Sequence, residues 1–317
     1  MTSNESHADD WRKGYTMISR AHCEVVESSH GTAVAVRVAL VATAAALAAT
    51  AAILAATPSA LFAQEDCKFM KTIELTEPAV GTLRVNAGAG SLSVRGVEGA
   101  NEFRLAAKLC ASDERRLEGL GVTLRGDRLD TTYPSSRGGL FSWGGNRYAR
   151  INLALEVPMD TNLRVDDRSG IIHIIDTGDV TLEDGSGNIL IRDVGSLTIH
   201  DGSGSISVSR VTGDFRLDDT SGNLTVDGVS GDVVIDDGSG SVIVSDVNGD
   251  VTVSDGSGHI RINAVGGSVR LDEIGSGSVT VHDVDGDLVV RDGRRERIRY
   301  SDIRGKLDLP PARRGSG

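Results

Sequence analysis

Hydrophobic and polar residues alternate in short runs through the second half of the chain, and these runs recur every seventeen to nineteen positions. In the unit DVTVSDGSGHIRINAVGG, Val251 and Val253 form one run, and Ile260 and Ile262 form the next. Alternation with a period of two places both apolar side chains on one face of a β-strand. The Asp-Gly-Ser-Gly sequence between the runs is typical of a turn. Each unit therefore predicts two strands joined by a turn.

The units from 179 to 305 predict a parallel β-solenoid, because near-identical repeats at a constant period favour coils that stack on one another over a simple meander. Equivalent residues would then form columns about 4.8 Å apart. Segments 81–99 and 162–176 follow the same pattern. We expect an all-β, single-domain parallel β-solenoid with about 18 residues per coil. Its predicted inward columns are Val180, Leu197, Phe215, Val233, Val251, Val269 and Leu288; Ile189, Ile206, Leu224, Val242, Ile260, Val279 and Ile298; and Val194, Val211, Val229, Val247, Val265, Val284 and Ile303.

Residues 100–158 break this register. EFRLAAKL and INLALEV still alternate like strands, but turn-rich segments such as YPSSRGGLFSWGGNRY separate them. We interpret 64–309 as one solenoid domain with an irregular insertion at 100–158, and 310–317 as a disordered tail. A solenoid also needs caps at its ends.

The amino-terminal 63 residues are predicted to be a leader. Residues 38–56 are uncharged and apolar, and Arg37 precedes them, as in a secretory signal peptide with cleavage between Ala63 and Gln64. Nineteen apolar residues can also span a bilayer, so a retained membrane anchor is the alternative. The long segment before the apolar stretch leaves Met17 as an alternative start.

Composition limits the partners and the compartment. A net charge of -12 argues against nucleic acid, which requires a cationic face. Aromatic residues make up 3% of the chain, so the core must be aliphatic. Cys67 and Cys110 are the two cysteines left after the leader, and they can form a disulfide in an oxidising compartment.

The leader, the early GAGSLSV coil, the irregular middle that leads into LEVP, and the serial DGSG coils together resemble a bacterial family named "putative adhesin". This is a domain family of unknown function, and the resemblance covers residues 75–317. It implies an exported β-solenoid of the cell envelope, and it supplies no catalytic residue and no cofactor. The long leader and the arginine-rich last coil depart from the family's pattern.

A column of aspartates is the first candidate for metal chemistry. Tandem GGxGxDxUx nonapeptides bind calcium, but the position that should carry a carboxylate is Val242 in DGSGSVIVS, so the sequence predicts no metal site in the turns. The repeats instead predict an outer column in which each Asp accepts hydrogen bonds from its own turn. The alternative is that divalent cations relieve the repulsion between these like charges. The column comprises Asp184, Asp201, Asp219, Asp237 and Asp255.

The insertion holds the candidate ligand-binding residues. Its aromatic side chains can stack on a sugar ring while an arginine contacts an acidic group, or they can simply pin the insertion to the body of the protein. The candidates are Tyr133, Phe141, Trp143, Tyr148, Arg137 and Arg147.

Charge is unevenly distributed along the chain. Residues 160–286 contain 23 acids against 7 arginines, whereas residues 291–314 contain nine bases against four acids. This basic end can bind an anionic envelope polymer, dock on another copy, or prevent pairing at an exposed sheet edge.

Catalytic patterns are not evident in the sequence. It has no nucleophile elbow, P-loop or dinucleotide fingerprint. His173, His200, His259 and His282 fall on different coils, although a β-helix polysaccharide lyase remains the enzyme alternative. We therefore expect a non-enzymatic, exported protein of the periplasm or cell surface, without a cofactor. It would bind a cell-surface glycan or envelope polymer, or associate with itself; an envelope scaffold or sensor module is the alternative.

Overall fold

The computed structural model describes residues 67–134 and 147–311. The predicted parallel β-solenoid is confirmed. Each repeat contributes a five-residue strand to one sheet, sheet B, and an eight-residue strand to a second sheet, sheet A, with the DGSG turn between them. The strands in chain order are β1 (Phe69–Pro78), β2 (Thr82–Asn86), β3 (Ala89–Val97), β4 (Glu102–Ala111), β5 (Gly121–Arg125), β6 (Arg128–Thr132), β7 (Ala149–Pro158), β8 (Asn162–Asp166), β9 (Ser169–Ile175), β10 (Val180–Asp184), β11 (Gly187–Val194), β12 (Leu197–Asp201), β13 (Gly204–Val211), β14 (Phe215–Asp219), β15 (Gly222–Val229), β16 (Val233–Asp237), β17 (Gly240–Val247), β18 (Val251–Val265), β19 (Val269–Ser276), β20 (Val279–Val284), β21 (Leu288–Val290), β22 (Ile298–Ile303) and β23 (Leu307–Asp308).

Both sheets are parallel ladders of successive coils. Sheet A runs β3, β9, β11, β13, β15, β17, β18, β20, β22, and sheet B runs β2, β8, β10, β12, β14, β16, β18, β19, β21, β23. The long strand β18 passes from sheet B into sheet A without a break. Each coil is therefore hydrogen-bonded to the coil before it and the coil after it.

The three predicted apolar columns are confirmed by the strand register. Phe215, for example, pairs with Leu197 on one side and Val233 on the other, and Val229 pairs with Val211 and Val247. All six residues are at most 2% exposed. The aliphatic core therefore runs along the whole stack.

Glycine is required where coils approach closely. Gly240 has a φ of +148°, and a Cβ atom at this position would lie 1.5 Å from the carbonyl oxygen of Gly222 in the preceding coil. Only glycine fits such a backbone conformation without strain. The second glycine of each DGSG turn is thus fixed by the stacking of the coils.

The segment 100–158 extends both sheets beyond the first coil. In sheet A, β7 pairs parallel with β3, and β4 lies antiparallel between β7 and β1. In sheet B, the hairpin β5–β6 pairs with β2 through β6. Phe103 and Leu153 from these strands are at most 1% exposed within the common core. These strands therefore cover the amino-terminal end of the solenoid core.

A short helix, α1 (Glu114–Glu118), links β4 to β5, and a 3₁₀ turn, Arg295–Arg297, precedes β22. Asp113 caps α1 by accepting a hydrogen bond from the backbone of Arg116. None of the helices in the described ranges has the length and apolar character needed to cross a membrane. The predicted leader, with its 38–56 stretch and its Ala63–Gln64 cleavage site, and residues 312–317 of the predicted tail lie outside the described ranges.

Candidate functional site

The aspartate column lies inside the solenoid, and the expectation of an outer column is wrong. In the sheet B strand of each repeat, residues one, three and five face inward, so Asp237 shares a face with Val233 and Ile235. The five aspartates are directly in register from coil to coil. Their exposed fractions are 8% for Asp184, 6% for Asp201, 3% for Asp219, 2% for Asp237 and 2% for Asp255.

Four of the five buried carboxylates accept a hydrogen bond from the turn that follows them, as the sequence predicts. Neither carboxylate oxygen of the fifth, Asp184, has a hydrogen-bond partner among the described residues. The backbone N–H of Ser239 donates to Oδ1 of Asp237 at 3.0 Å, and Ser221 donates to Asp219 at 3.0 Å. Ser203 and Ser257 make the same contact with their own aspartates. This is the Asx arrangement that favours Asp at turns.

In two of these turns, the second carboxylate oxygen of the aspartate makes no hydrogen bond. The Oδ2 atoms of Asp201 and Asp237 are buried and have no hydrogen-bond partner among the described residues. Burial, together with repulsion from the neighbouring aspartates in the column, raises the pKa of each carboxyl to about 6. Asp167, in the preceding coil, is 5% exposed, and its burial raises the pKa to about 7. Burial also raises the pKa of Asp184, Asp219 and Asp255, so each carboxyl of the column takes up its proton at a higher pH than an ordinary aspartate does.

Metal binding has no geometric support in the part of the chain that the structure describes. None of its His, Cys, Asp and Glu side chains form a group of three or more that could hold a metal ion.

A second, exposed ladder joins the coils at the turns that lead into sheet B. Oδ1 of Asp214 accepts a hydrogen bond from the backbone N–H of Asp232 at 3.0 Å, and Asp232 in turn accepts one from Asp250 at 2.9 Å. Asp250 accepts one from Ser268 at 2.7 Å. These bonds run along the solenoid axis, so they tie each coil to the next.

The candidate residues in the insertion are only partly brought together. The Tyr133 hydroxyl donates to the carbonyl oxygen of Ala89 at 2.9 Å, and the ring packs against the core. The Tyr148 hydroxyl accepts from the backbone of Lys68 at 3.0 Å. Both tyrosines thus hold the capping strands in place, and the exposed Arg147 precedes Tyr148. The other three candidates, Arg137, Phe141 and Trp143, lie outside the described residues.

Cys67 and Cys110 are joined by a disulfide, with their Cα atoms 5.4 Å apart. Cys110 is fully buried in β4. The bond ties the first described residue to the capping strands.

The basic end is partly neutralised within the chain. Arg304 forms an ion pair with Asp285, and Arg291 lies 3.6 Å from Asp272. The Arg295 guanidinium stacks on the Tyr300 ring with 5.2 Å to its centroid. These contacts fix several arginines on the last coils.

The four histidines stay apart, as the sequence predicts. His200 and His282 are half exposed on the outer faces of different coils, beside Asp218 and Asp302. His259 contacts the Ser278 hydroxyl at 2.9 Å. Burial lowers the pKa of His173, and the nearby Arg192 and Arg95 lower it further.

The outer face of sheet A contains a groove that sequence reasoning missed. Its volume is about 570 Å³, and it spans β17, β18, β20 and β22. The register sets Ile243, Arg261 and Thr280 in one outward column, and Ser245, Asn263, His282 and Ser301 in the next. The sequence does mark this groove by a change of residue type within one outward column. The column contains Leu190, Ser207, Thr225 and Ile243, and the next residue in it is the charged Arg261.

Comparisons with known proteins concern the fold. A family model described as Toastrack DUF4097 matches residues 97–300. A "putative adhesin" from Parabacteroides distasonis is similar at 10% identity, covering 75% of this chain and 97% of that chain with a TM-score of 0.40. A "putative adhesin" from Bacteroides fragilis shares 12% identity over 76% of this chain and 97% of that chain, with a TM-score of 0.37. A "putative cell adhesion protein" from Clostridium sporogenes shares 13% identity over 50% of this chain and 99% of that chain, with a TM-score of 0.35. No curated protein matches the chain.

Proposed function

Because the chain belongs to the Toastrack DUF4097 family, whose model covers more than half of it, we propose that it is an exported, non-enzymatic binding protein that uses a rigid solenoid face at the cell envelope. The observation that carries this proposal is the repeating outer face of sheet A. Its outward positions recur in register from coil to coil, and in three successive coils they hold Ser205 and Ser207, Asn223 and Thr225, and Ser241 and Ile243.

Such a face is suited to binding rather than to catalysis. Every outward position is backed by a buried apolar ladder, and the turn aspartates tie neighbouring coils together. Preorganised polar groups lose little conformational freedom when a partner binds. A repeated array also matches a partner with repeated chemistry, such as a polysaccharide.

The Cys67–Cys110 disulfide supports export. Structural disulfides persist in oxidising compartments and are rare in the cytosol. This one is buried at Cys110 and links two elements of the cap.

Two measurements test the proposal. The purified protein is expected to bind cells or isolated envelope, and periodate oxidation of the glycans is expected to reduce that binding. Protease treatment of intact and permeabilised cells separates the two alternatives. Digestion on intact cells supports an adhesin-like protein at the surface, whereas protection until permeabilisation favours a periplasmic scaffold or sensor. A chain found only in the cytosol contradicts the proposal.

A further inference from the structure

The groove on the outer face of sheet A differs in charge from the rest of the acidic coils. Arg261 lines this groove, and no described carboxylate comes within 4.0 Å of its guanidinium. Arg299, two coils away in the same column, is also exposed. In a stretch where acids outnumber arginines 23 to 7, a groove with a free arginine and no acid in its lining is unusual.

Two carboxylates that contact lining residues of the groove are already engaged within the chain. Asp227 accepts a hydrogen bond from the Ser245 hydroxyl at 2.7 Å, and Asp302 lies 3.0 Å from Nδ1 of His282. The Ser301 hydroxyl also contacts Nδ1 of His282, at 2.8 Å. Both contacts use Nδ1, and neither occupies Nε2 of the same ring.

The lining of the groove combines three kinds of group. Arg261 offers a planar fork that pairs with a carboxylate. Asn263, Thr280 and His282 offer donors and acceptors of the kind that bind hydroxyl groups. Ile243 contributes to an exposed lining that is mostly apolar. A volume of about 570 Å³ falls in the range of small-molecule sites.

We propose that this groove binds an acidic sugar unit of a polysaccharide, with Arg261 pairing with the sugar carboxylate and the neighbouring polar side chains binding its hydroxyl groups. The inference rests on the proposed function as a binding protein, and it names the ligand class and the site. The same face continues toward the amino terminus as rows of Ser, Thr and Asn side chains. A repeating polymer can follow these rows from the groove.

The test uses immobilised oligosaccharides that contain galacturonate, glucuronate or sialic acid, each paired with its carboxyl-reduced form. The protein is expected to bind at least one acidic probe at least tenfold more tightly than its reduced partner. Arg261→Gln is expected to remove this preference. Arg216→Gln removes an exposed arginine from the outer face of sheet B, so it is the matched control and is expected to keep the preference within twofold.

Several results would overturn the inference. The unaltered protein would overturn it by binding none of the acidic probes, or by binding acidic and reduced probes equally. The variants would overturn it if Arg261→Gln kept the preference for the acidic probe, or if Arg216→Gln lost that preference to the same extent. Displacement by inorganic phosphate at the same concentration as the free uronate would also overturn it, because the site would then recognise any anion. Cell binding that survives in Arg261→Gln would reject the groove but retain the proposed function, whereas no cell binding by the unaltered protein would reject both.

Discussion

Replacing Asp237 by Asn is expected to stabilise the protein at neutral pH. Oδ1 of Asp237 accepts the Ser239 N–H at 3.0 Å, and an asparagine oxygen can accept the same bond. Oδ2 is buried without a partner among the described residues, and the side chain is 2% exposed. The carboxylate therefore places a poorly solvated charge in the column, and the amide does not.

The size of the effect follows from the pKa. Burial raises the pKa of Asp237 from 3.8 to about 6, and each pKa unit corresponds to about 1.4 kcal/mol. Without screening by solvent, the ionised Asp237 carboxylate would thus lower the free energy of unfolding by about 3 kcal/mol at pH 7. Because the exposed turn at Gly238 lets solvent screen the charge, we expect a gain of about 1–2 kcal/mol for Asp237→Asn.

The pH dependence has a defined sign. A folded-state pKa above the unfolded value means that the folded chain binds more protons, so stability increases as the pH falls. Burial raises the pKa of Asp167 to about 7 and those of Asp201 and Asp237 to about 6. The denaturant concentration at the unfolding midpoint of the unaltered protein is therefore expected to increase as the pH is lowered from 7.5 to 5. It should level off near pH 4.

The assay is denaturant unfolding at pH 7.5, 6.5, 5.5 and 4.5. Asp237→Asn should be more stable than the unaltered protein at pH 7.5, and its stability should depend less on pH. Asp236→Asn is the matched control, because Asp236 is the exposed neighbour on the outer face of the same strand; its effect should stay within about 0.5 kcal/mol. The reasoning is refuted if Asp237→Asn is less stable at pH 7.5, or if the unaltered protein loses stability steadily between pH 7.5 and pH 5.

Three further changes test the packing of the solenoid. Gly240→Ala should lower the free energy of unfolding by about 2 kcal/mol or more, because its Cβ would lie 1.5 Å from a backbone oxygen at positive φ; Gly81→Ala, with no atom within 4 Å, should have little effect in the same denaturant titration. Phe215→Ala should cost about 3–5 kcal/mol by opening a cavity in a column where the ring is 1% exposed, whereas Phe215→Leu should cost less than about 1.5 kcal/mol, and equal losses would contradict this account. Changing both Cys67 and Cys110 to Ser should cost about 2–4 kcal/mol and lower the melting temperature, and an unchanged melting temperature would show that the cap is held without the disulfide.

The sequence predicts the solenoid because every repeat has the same order of apolar positions, and this order sets the register between coils. Once Val233 and Val251 are aligned as equivalent positions, the pleat of the strand assigns the inward face of both coils. The same parity places Asp237 inward, two residues after Ile235. The sequence pattern favours an outward Asp237, because an Asp before Gly-Ser-Gly is typical of the first residue of a turn, but the strand continues through it.

The cap and the groove depend on information beyond the repeat. Strand β4 pairs antiparallel with β1 and β7, and nothing in a parallel repeat specifies those partners. For the groove, the register alone aligns Ile243, Arg261 and Thr280. The concave shape of the outer surface, however, arises from the three-dimensional course of four strands, which residue type does not encode.

Each described coil within the stack pairs only with the coil before it and the coil after it, so the length of the solenoid is proportional to its number of coils. One repeat of about eighteen residues advances the stack by about 4.8 Å, and a coil removed from the middle would leave two surfaces of the same kind to rejoin. The reach of the protein is therefore set by a count of repeats. Gain or loss of a single unit would change that reach in fixed steps while both ends kept their present sequences.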